Sequence, residues 1–242
     1  MLEFLGLLWN EAIIRPMINS LVVLYIVLFH NFGLSIIVFT LIINTLTFPL
    51  TIRSIRQTRA MSAVGPRLQE LKERYKDDRQ RVSQETLRLY RENGINPIGC
   101  LGPLIIQMPI LLGLYWAVMK TLPAAPEQLA ELSGLLYSWL PMTNTVLPLD
   151  SRFVVVDLAL SGSAHGFVGY IIMVLVGISM WISMKMTTPM TSGTGTQQQT
   201  QQMMQWMFPV MIGFFSLSFP VGLSLYWIAS SFIRALIQVG VT

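Results

Sequence analysis

Residues 21–52 read LVVLYIVLFHNFGLSIIVFTLIINTLTFPLTI, without one Asp, Glu, Lys or Arg. As a single helix this run would be about 48 Å long, against a bilayer hydrocarbon core of about 30 Å. It must break, and His30-Asn31-Phe32-Gly33 supplies the breaking residues. The segment after the break, 32–52, has the length of one membrane crossing and ends at Arg53, Arg56 and Arg59.

The rest of the chain has the same character. Of its 242 residues 53% are hydrophobic and 12% charged, with mean hydropathy +0.58. Soluble domains carry about 25% charged residues, so lipid is the solvent here. Four more runs have crossing length, at 99–119, 166–186, 203–219 and 220–239, with Phe219-Pro220 turning between the last two. The expected fold is an all-α membrane protein of five transmembrane helices. Ahead of them, Glu11, Arg15 and Asn19 recur every fourth residue while Ile13, Ile14, Met17 and Leu21 lie off that stripe. Residues 1–31 therefore read as an N-terminal amphipathic helix lying in the membrane interface. The alternative is that 17–31 crosses as an additional span.

Residues 53–95 read as a helical hairpin outside the membrane. Val64, Leu68, Leu71 and Tyr75 make one apolar stripe and Val82, Leu87 and Tyr90 a sparser one. Asp77-Asp78 is the expected turn, Asn93-Gly94 closes the second helix and Pro97 prevents its continuation. Residues 187–202, TTPMTSGTGTQQQTQQ, are of low complexity and read as a loop. No internal repeat is visible.

Charge sets the orientation. Eleven of the sixteen Lys and Arg lie in 53–93, including Arg67, Lys72, Arg74, Lys76, Arg79 and Arg81, whereas 121–165 has Arg152 against Glu127, Glu131, Asp150 and Asp157. The positive-inside rule places 53–93 in the cytoplasm and 121–165 outside. Five spans then put the N-terminus outside and the C-terminus and 187–202 in the cytoplasm. No basic n-region with an A-x-A site and no Arg/Ser-rich transit peptide is present, which favours a bacterial plasma (inner) membrane.

Chemistry-bearing motifs are few. The single Cys100 and the two histidines, His30 and His165, offer no metal-ligand set, and there is no Walker A sequence, G-x-S-x-G or H-E-x-x-H. No enzyme, metal, cofactor or small-molecule substrate is indicated. The remaining candidates are polar side chains inside spans. Thr40, Asn44 and Thr47 share a face of the first, Gln107 stands in the second, Ser179 and Ser183 in the third, and Tyr226, Ser230 and Arg234 share a face of the fifth. Counted by helical rise, Asn44, Gln107, Ser179 and Ser230 lie about 10–14 Å from the cytoplasmic ends. Either they bond helix to helix, as such residues commonly do, or they line a wet cavity. Ser179 and Ser183 read as helix-to-helix contacts. Met173, Met180 and Met184 add adaptable apolar surface, or ordinary packing.

Three stretches together resemble the YidC family, the bacterial branch of an insertase superfamily with mitochondrial and chloroplast members. They are LSIIVFTLIINTLTFPLTIRSIRQTRAM at 34–61, KDDRQRVSQETLRLYRENGINPIGCLGPLIIQMPI at 76–110 and FPVGLSLYW at 219–227. Order, spacing and topology match from about residue 10 to 240. The resemblance implies five helices around a hydrophilic groove that accepts hydrophobic segments of nascent membrane proteins and releases them into the bilayer. The hairpin would be the recruiting element. The ribosome, the Sec translocon and membrane lipids are the implied partners. Thr40, Asn44, Gln107, Tyr226 and Trp227 match groove-lining positions, to which Thr47, Ser230 and Arg234 are added by their helix faces. One departure stands out: the family typically has an arginine where this chain has Asn44. Arg234 is the one cation within a span at suitable depth, and it reaches either into the groove or out to lipid headgroups. No counterpart of the large extracytoplasmic domain of many diderm members lies within these residues. Rival readings are a small-solute channel or transporter, against which stand the lack of a carboxylate ring and of an inverted repeat, and an assembly chaperone without insertion activity.

Overall fold

The computed structural model describes residues 2–75, 78–96, 102–122, 125–137, 148–187 and 196–241. Almost all of them are helical, because a backbone in lipid must satisfy its hydrogen bonds internally. The order is α1 (Leu2–Trp9), a π-turn (Asn10–Ile14), α2 (Arg15–Val27), α3 (Phe32–Ala63), α4 (Gly65–Arg74), α5 (Arg79–Glu92), α6 (Gly102–Thr121) and α7 (Pro126–Leu135). A short antiparallel pair comes next, β1 (Arg152–Phe153) with β2 (Val156–Asp157), then a 3-10 turn (Gly162–His165). The chain ends with α8 (Phe167–Thr187), α9 (Thr196–Ser216) and α10 (Val221–Val241). This is an all-α membrane protein. Among the described residues, four segments are long and apolar enough to cross a bilayer: Gly6–Val27, Phe32–Ala63, Phe167–Met186 and Val221–Gly240. Helices α6 and α9, of 20 and 21 residues, overlap the expected second and fourth spans, 99–119 and 203–219, and are not among those four.

The first break falls earlier than His30–Gly33. Phe29 (φ 56°) and His30 (φ 59°) are both left-handed, so the chain turns over Leu28–Asn31. The Asn31 side chain then accepts from Leu34 N and caps α3, in which Phe32 and Gly33 are already helical. Nor does α3 stop at Ile52. It runs 32 residues to Ala63, through Pro49, so Arg53, Arg56 and Arg59 belong to the same helix as the span. Charge ends the apolar segment there but not the helix: no breaker occurs between Arg53 and Gly65-Pro66. The hairpin proper is α4 and α5. Val64, Leu68, Tyr90 and Ile95 close on one another as a small core of their own. Asp78 caps α5 by accepting from Arg81 N at 2.9 Å, and Gly94 (φ 63°) ends it. Lys76, Asp77 and Pro97 lie outside the described residues. Residues 196–202, read as loop, are helical: the glutamine run is a good helix former and opens α9.

The N-terminal helix departs from a simple amphipathic reading. Ile14, Met17, Ile18, Leu21, Val22 and Tyr25 are buried against α3 and α6, but of the polar stripe only Glu11 is exposed, while Arg15 is half-buried and Asn19 buried. Arg15 Nε and Asn19 Nδ2 both donate to the Leu135 carbonyl, at 3.1 and 3.0 Å, and Tyr137 N donates back to Asn19 Oδ1 at 2.8 Å. Farther along, Asp150 N donates to the Tyr25 hydroxyl at 3.0 Å. Residues 15, 19 and 25 cover about 15 Å of helix, and all of them touch the 121–165 segment.

The main core joins α2, the first half of α3, α6 and the start of α10, through Phe32, Ile36, Leu114, Val118, Leu223 and Tyr226 among others. At its edge Phe153 of β1 lies flat on Gly33, where any Cβ would collide with the ring. Lys120, near the end of α6, pairs with Glu131 and ties α7 to the bundle.

Candidate functional site: a polar cavity between four helices

Helix α3 presents Asn44, Thr47, Thr51 and Ser54 at successive spacings of three and four, so they form one polar stripe. The stripe faces a cavity of about 200 Å³ bounded also by α6, α8 and α10. The space suits roughly six waters at liquid density. Gln107 comes from α6, Ser183 from α8, and Tyr226, Ser231 and Arg234 from α10. Ile43, Ile110, Met180 and Met184 supply apolar wall between them.

The threonines are held by their own helix: Thr47 and Thr51 donate to the carbonyls of Ile43 and Thr47 at 2.8 and 3.0 Å. Their oxygens thus present lone pairs rather than protons to the cavity. Asn44 Nδ2 donates to the Thr40 carbonyl at 2.8 Å, which orients its Oδ1 as a further acceptor. Across the space Gln107 Nε2 donates to the Tyr226 hydroxyl at 2.6 Å and ties α6 to α10. Among the described residues, Arg234 is the one charged residue of the lining. Its Nε donates to the Ser230 carbonyl at 3.3 Å and its Nη2 to Ser230 Oγ at 3.1 Å, so the guanidinium folds back along α10. The snorkelling alternative is not the arrangement seen. The whole is a row of acceptors facing one fixed cation, at the level where α3 leaves its apolar segment.

Three residues named from the sequence stand behind this surface. Thr40 is fully buried one turn above Asn44 and donates to the Ile36 carbonyl at 2.6 Å. Trp227 packs edge-on against Phe219, which does the same against Tyr115. Ser230 is fully buried and acts through Arg234. Thr51, Ser54, Ser183 and Ser231 line the cavity without having been singled out for it. Ser183, read as a packing contact, faces the cavity; Ser179 does not, and donates to the Val176 carbonyl. A signal for Thr51 and Ser54 existed, since they continue the Thr40-Asn44-Thr47 face. Ser231 is one residue, hence about 100° of helix, from Ser230 and gave none.

On the hairpin, Arg67, Lys72, Arg74, Arg79 and Arg81 are exposed. Arg74 and Arg81 flank the Tyr75 ring at 6.0 and 5.2 Å and make a compact basic end to the hairpin.

Apolar helices around a half-buried polar cavity, with a basic helical hairpin carried on the extension of one of them, define a membrane protein whose polar interior is built within its spans. The chain belongs to the family of the 60Kd inner membrane protein, whose profile matches residues 24–242. It is 35% identical over 237 residues to "Membrane protein insertase YidC 2" of Bacillus anthracis, covering 93% of this chain and 77% of that one. It is 32% identical over 234 residues to "Membrane protein insertase MisCA" of Bacillus subtilis (strain 168), covering 92% and 75%. To "Membrane protein insertase YidC" of Haemophilus ducreyi it is 34% identical over 232 residues, covering 95% of this chain but 37% of that longer protein.

Proposed function

We propose that this protein is a membrane protein insertase, which takes a hydrophobic segment of a nascent protein with its polar flank and delivers the segment to lipid. The observation that carries this is the cavity itself, polar side chains from four helices meeting inside the apolar part of the bundle. The relatives' names agree with it. The energetics need no fuel. Each Leu, Ile, Phe or Val of a substrate span gains about 0.3–0.6 kcal/mol at the bilayer centre. The barrier is the polar flank, and a hydrated cavity reaching about 12 Å in from Ile52 to Asn44 shortens the dry path. Acceptors from α3 can exchange hydrogen bonds with the flank's backbone, and Arg234 supplies the positive potential that Asn44 does not. No catalytic step is involved.

In this reading the basic hairpin and the C-terminus face the cytoplasm, and the N-terminus and 121–165 face outward. The charge asymmetry between 53–93 and 121–165 supports that orientation. The bonds from Arg15, Asn19 and Tyr25 to 121–165 support an N-terminal helix at the outer interface rather than a sixth span. The plasma membrane of a bacterium is the compartment, and ribosomes, the Sec translocon and anionic lipid are the partners the hairpin's charge suits.

The test is reconstitution of the purified chain into vesicles with a short one-span substrate. Protection of the substrate's tail from added protease supports insertion. Passage of small solutes without tail protection would instead identify a channel.

A further inference from the structure

A second depression, opposite in character to the polar cavity, lies on the outside of the bundle between α8 and α9. Its volume is about 500 Å³. Val174 and Ile178 of α8 and Val210 and Phe214 of α9 form its walls. Its floor is backbone: α8 and α9 meet so closely that a Cβ on Gly213 would lie 3.1 Å from the Met173 carbonyl oxygen. Trp181 and Trp206, with ring centroids 5.2 Å apart, close the end nearer Lys185. The Lys185 ammonium sits 4.8 Å over the Trp181 ring and forms no ion pair among the described residues.

We propose that this groove binds one acyl chain of an anionic phospholipid, whose headgroup phosphate meets Lys185. The groove runs along α8 from Met173 to Trp181, about 12 Å by helical rise. A single extended hydrocarbon chain is slim enough to lie along it. The chemistry changes along the groove as it does along a lipid. Purely apolar walls come first, then two indoles with one polar edge each, then a compact ammonium suited to phosphate. Helix–helix contact through glycines forms the groove without help from the ligand, so little ordering cost opposes binding. Placement in the cytoplasmic leaflet rests on the topology proposed above; binding itself does not.

The experiment is native mass spectrometry of the delipidated full chain in detergent, titrated separately with phosphatidylglycerol and phosphatidylcholine of the same chains. One phosphatidylglycerol should bind about fivefold more tightly than phosphatidylcholine, the share of one lysine at an anionic surface. Lys185→Gln, at an exposed position, should erase that preference and keep chain binding. Val210→Trp, which fills the groove from a side chain facing outward, should remove both. Equal titration of the two lipids by the unaltered chain, or undiminished binding by Val210→Trp, overturns the site. A doubled mass that Val210→Trp abolishes would also overturn it, by giving the groove to a second copy. Insertion activity is not read in this assay, so its loss or retention leaves the lipid result independent.

Discussion

Arg234→Ala removes the only cation among the described residues that line the polar cavity. The guanidinium is held at both Ser230 contacts and points along the space that Asn44 shares. An acidic flank entering that space would pair with it at contact distance. Such a pair is worth about 1 kcal/mol in bulk water and about 4 kcal/mol at an effective dielectric of 20. For the hydrated cavity proposed here the lower half of that range applies, about 1–2 kcal/mol, or about 5- to 30-fold in rate. The assay is protease protection over time in vesicles, with two versions of a one-span substrate whose flanks differ only in carrying acids or their amides. Arg234→Ala should slow the acidic version by that factor and leave the amide version near the unaltered rate. Adding Asn44→Arg, on the facing wall, should restore the acidic version. If Arg234→Ala inserts both versions as the unaltered chain does, the cavity works by hydration alone and the fixed charge has no part in it.

Orientation is checked with single cysteines at Asp78 and Thr145 in a Cys100→Ser background: an impermeant thiol reagent should label them from opposite sides of the membrane, and labelling from one side would reject the topology. Asn44→Cys and Gln107→Cys should react with the same reagent applied from the cytoplasmic side, and complete protection of both would mean the cavity is dry. Gly33→Ala should cost about 1–3 kcal/mol through collision with the Phe153 ring. A lower melting temperature in detergent reads that cost, and Phe153→Ala should return part of it.

The apolar helices α3, α8 and α10 were legible because length and hydropathy measure the same thing the bilayer does. Charge density marks where the bilayer ends, but it is silent on where a helix ends, and α3 accordingly overran Ile52 by eleven residues to Ala63. Ser54 was lost to the site by that boundary, and Thr51, inside it, was not singled out, although both sit on the same face as Asn44. The stripe Glu11-Arg15-Asn19 was visible, but its partners Leu135 and Tyr137 lie more than a hundred residues away, and no local pattern reports them. Ser183 and Ser179 look alike in sequence; only the rotation of α8 against α3 and α10 decides that one faces the cavity and the other does not. Trp227 and Ser230 fell one layer behind the lining for the same reason.

The clasp between the N-terminal helix and Leu135 has a consequence for how the chain is made. Arg15 and Asn19 leave the ribosome 120 and 116 residues before the carbonyl they bind. At a synthesis rate of about 5–20 residues per second, that is a delay of roughly 6–24 seconds. Throughout it, Arg15 and Asn19 have no permanent acceptor on the 121–165 side, and for most of it, until Gly102–Thr121 is made, Ile14, Met17 and Ile18 have no α6 to cover them. Headgroups and interfacial water can serve such a helix in the meantime; dry hydrocarbon cannot. The order in which the polypeptide emerges therefore favours an early helix that waits at the membrane surface and is locked in place only when Leu135 reaches it.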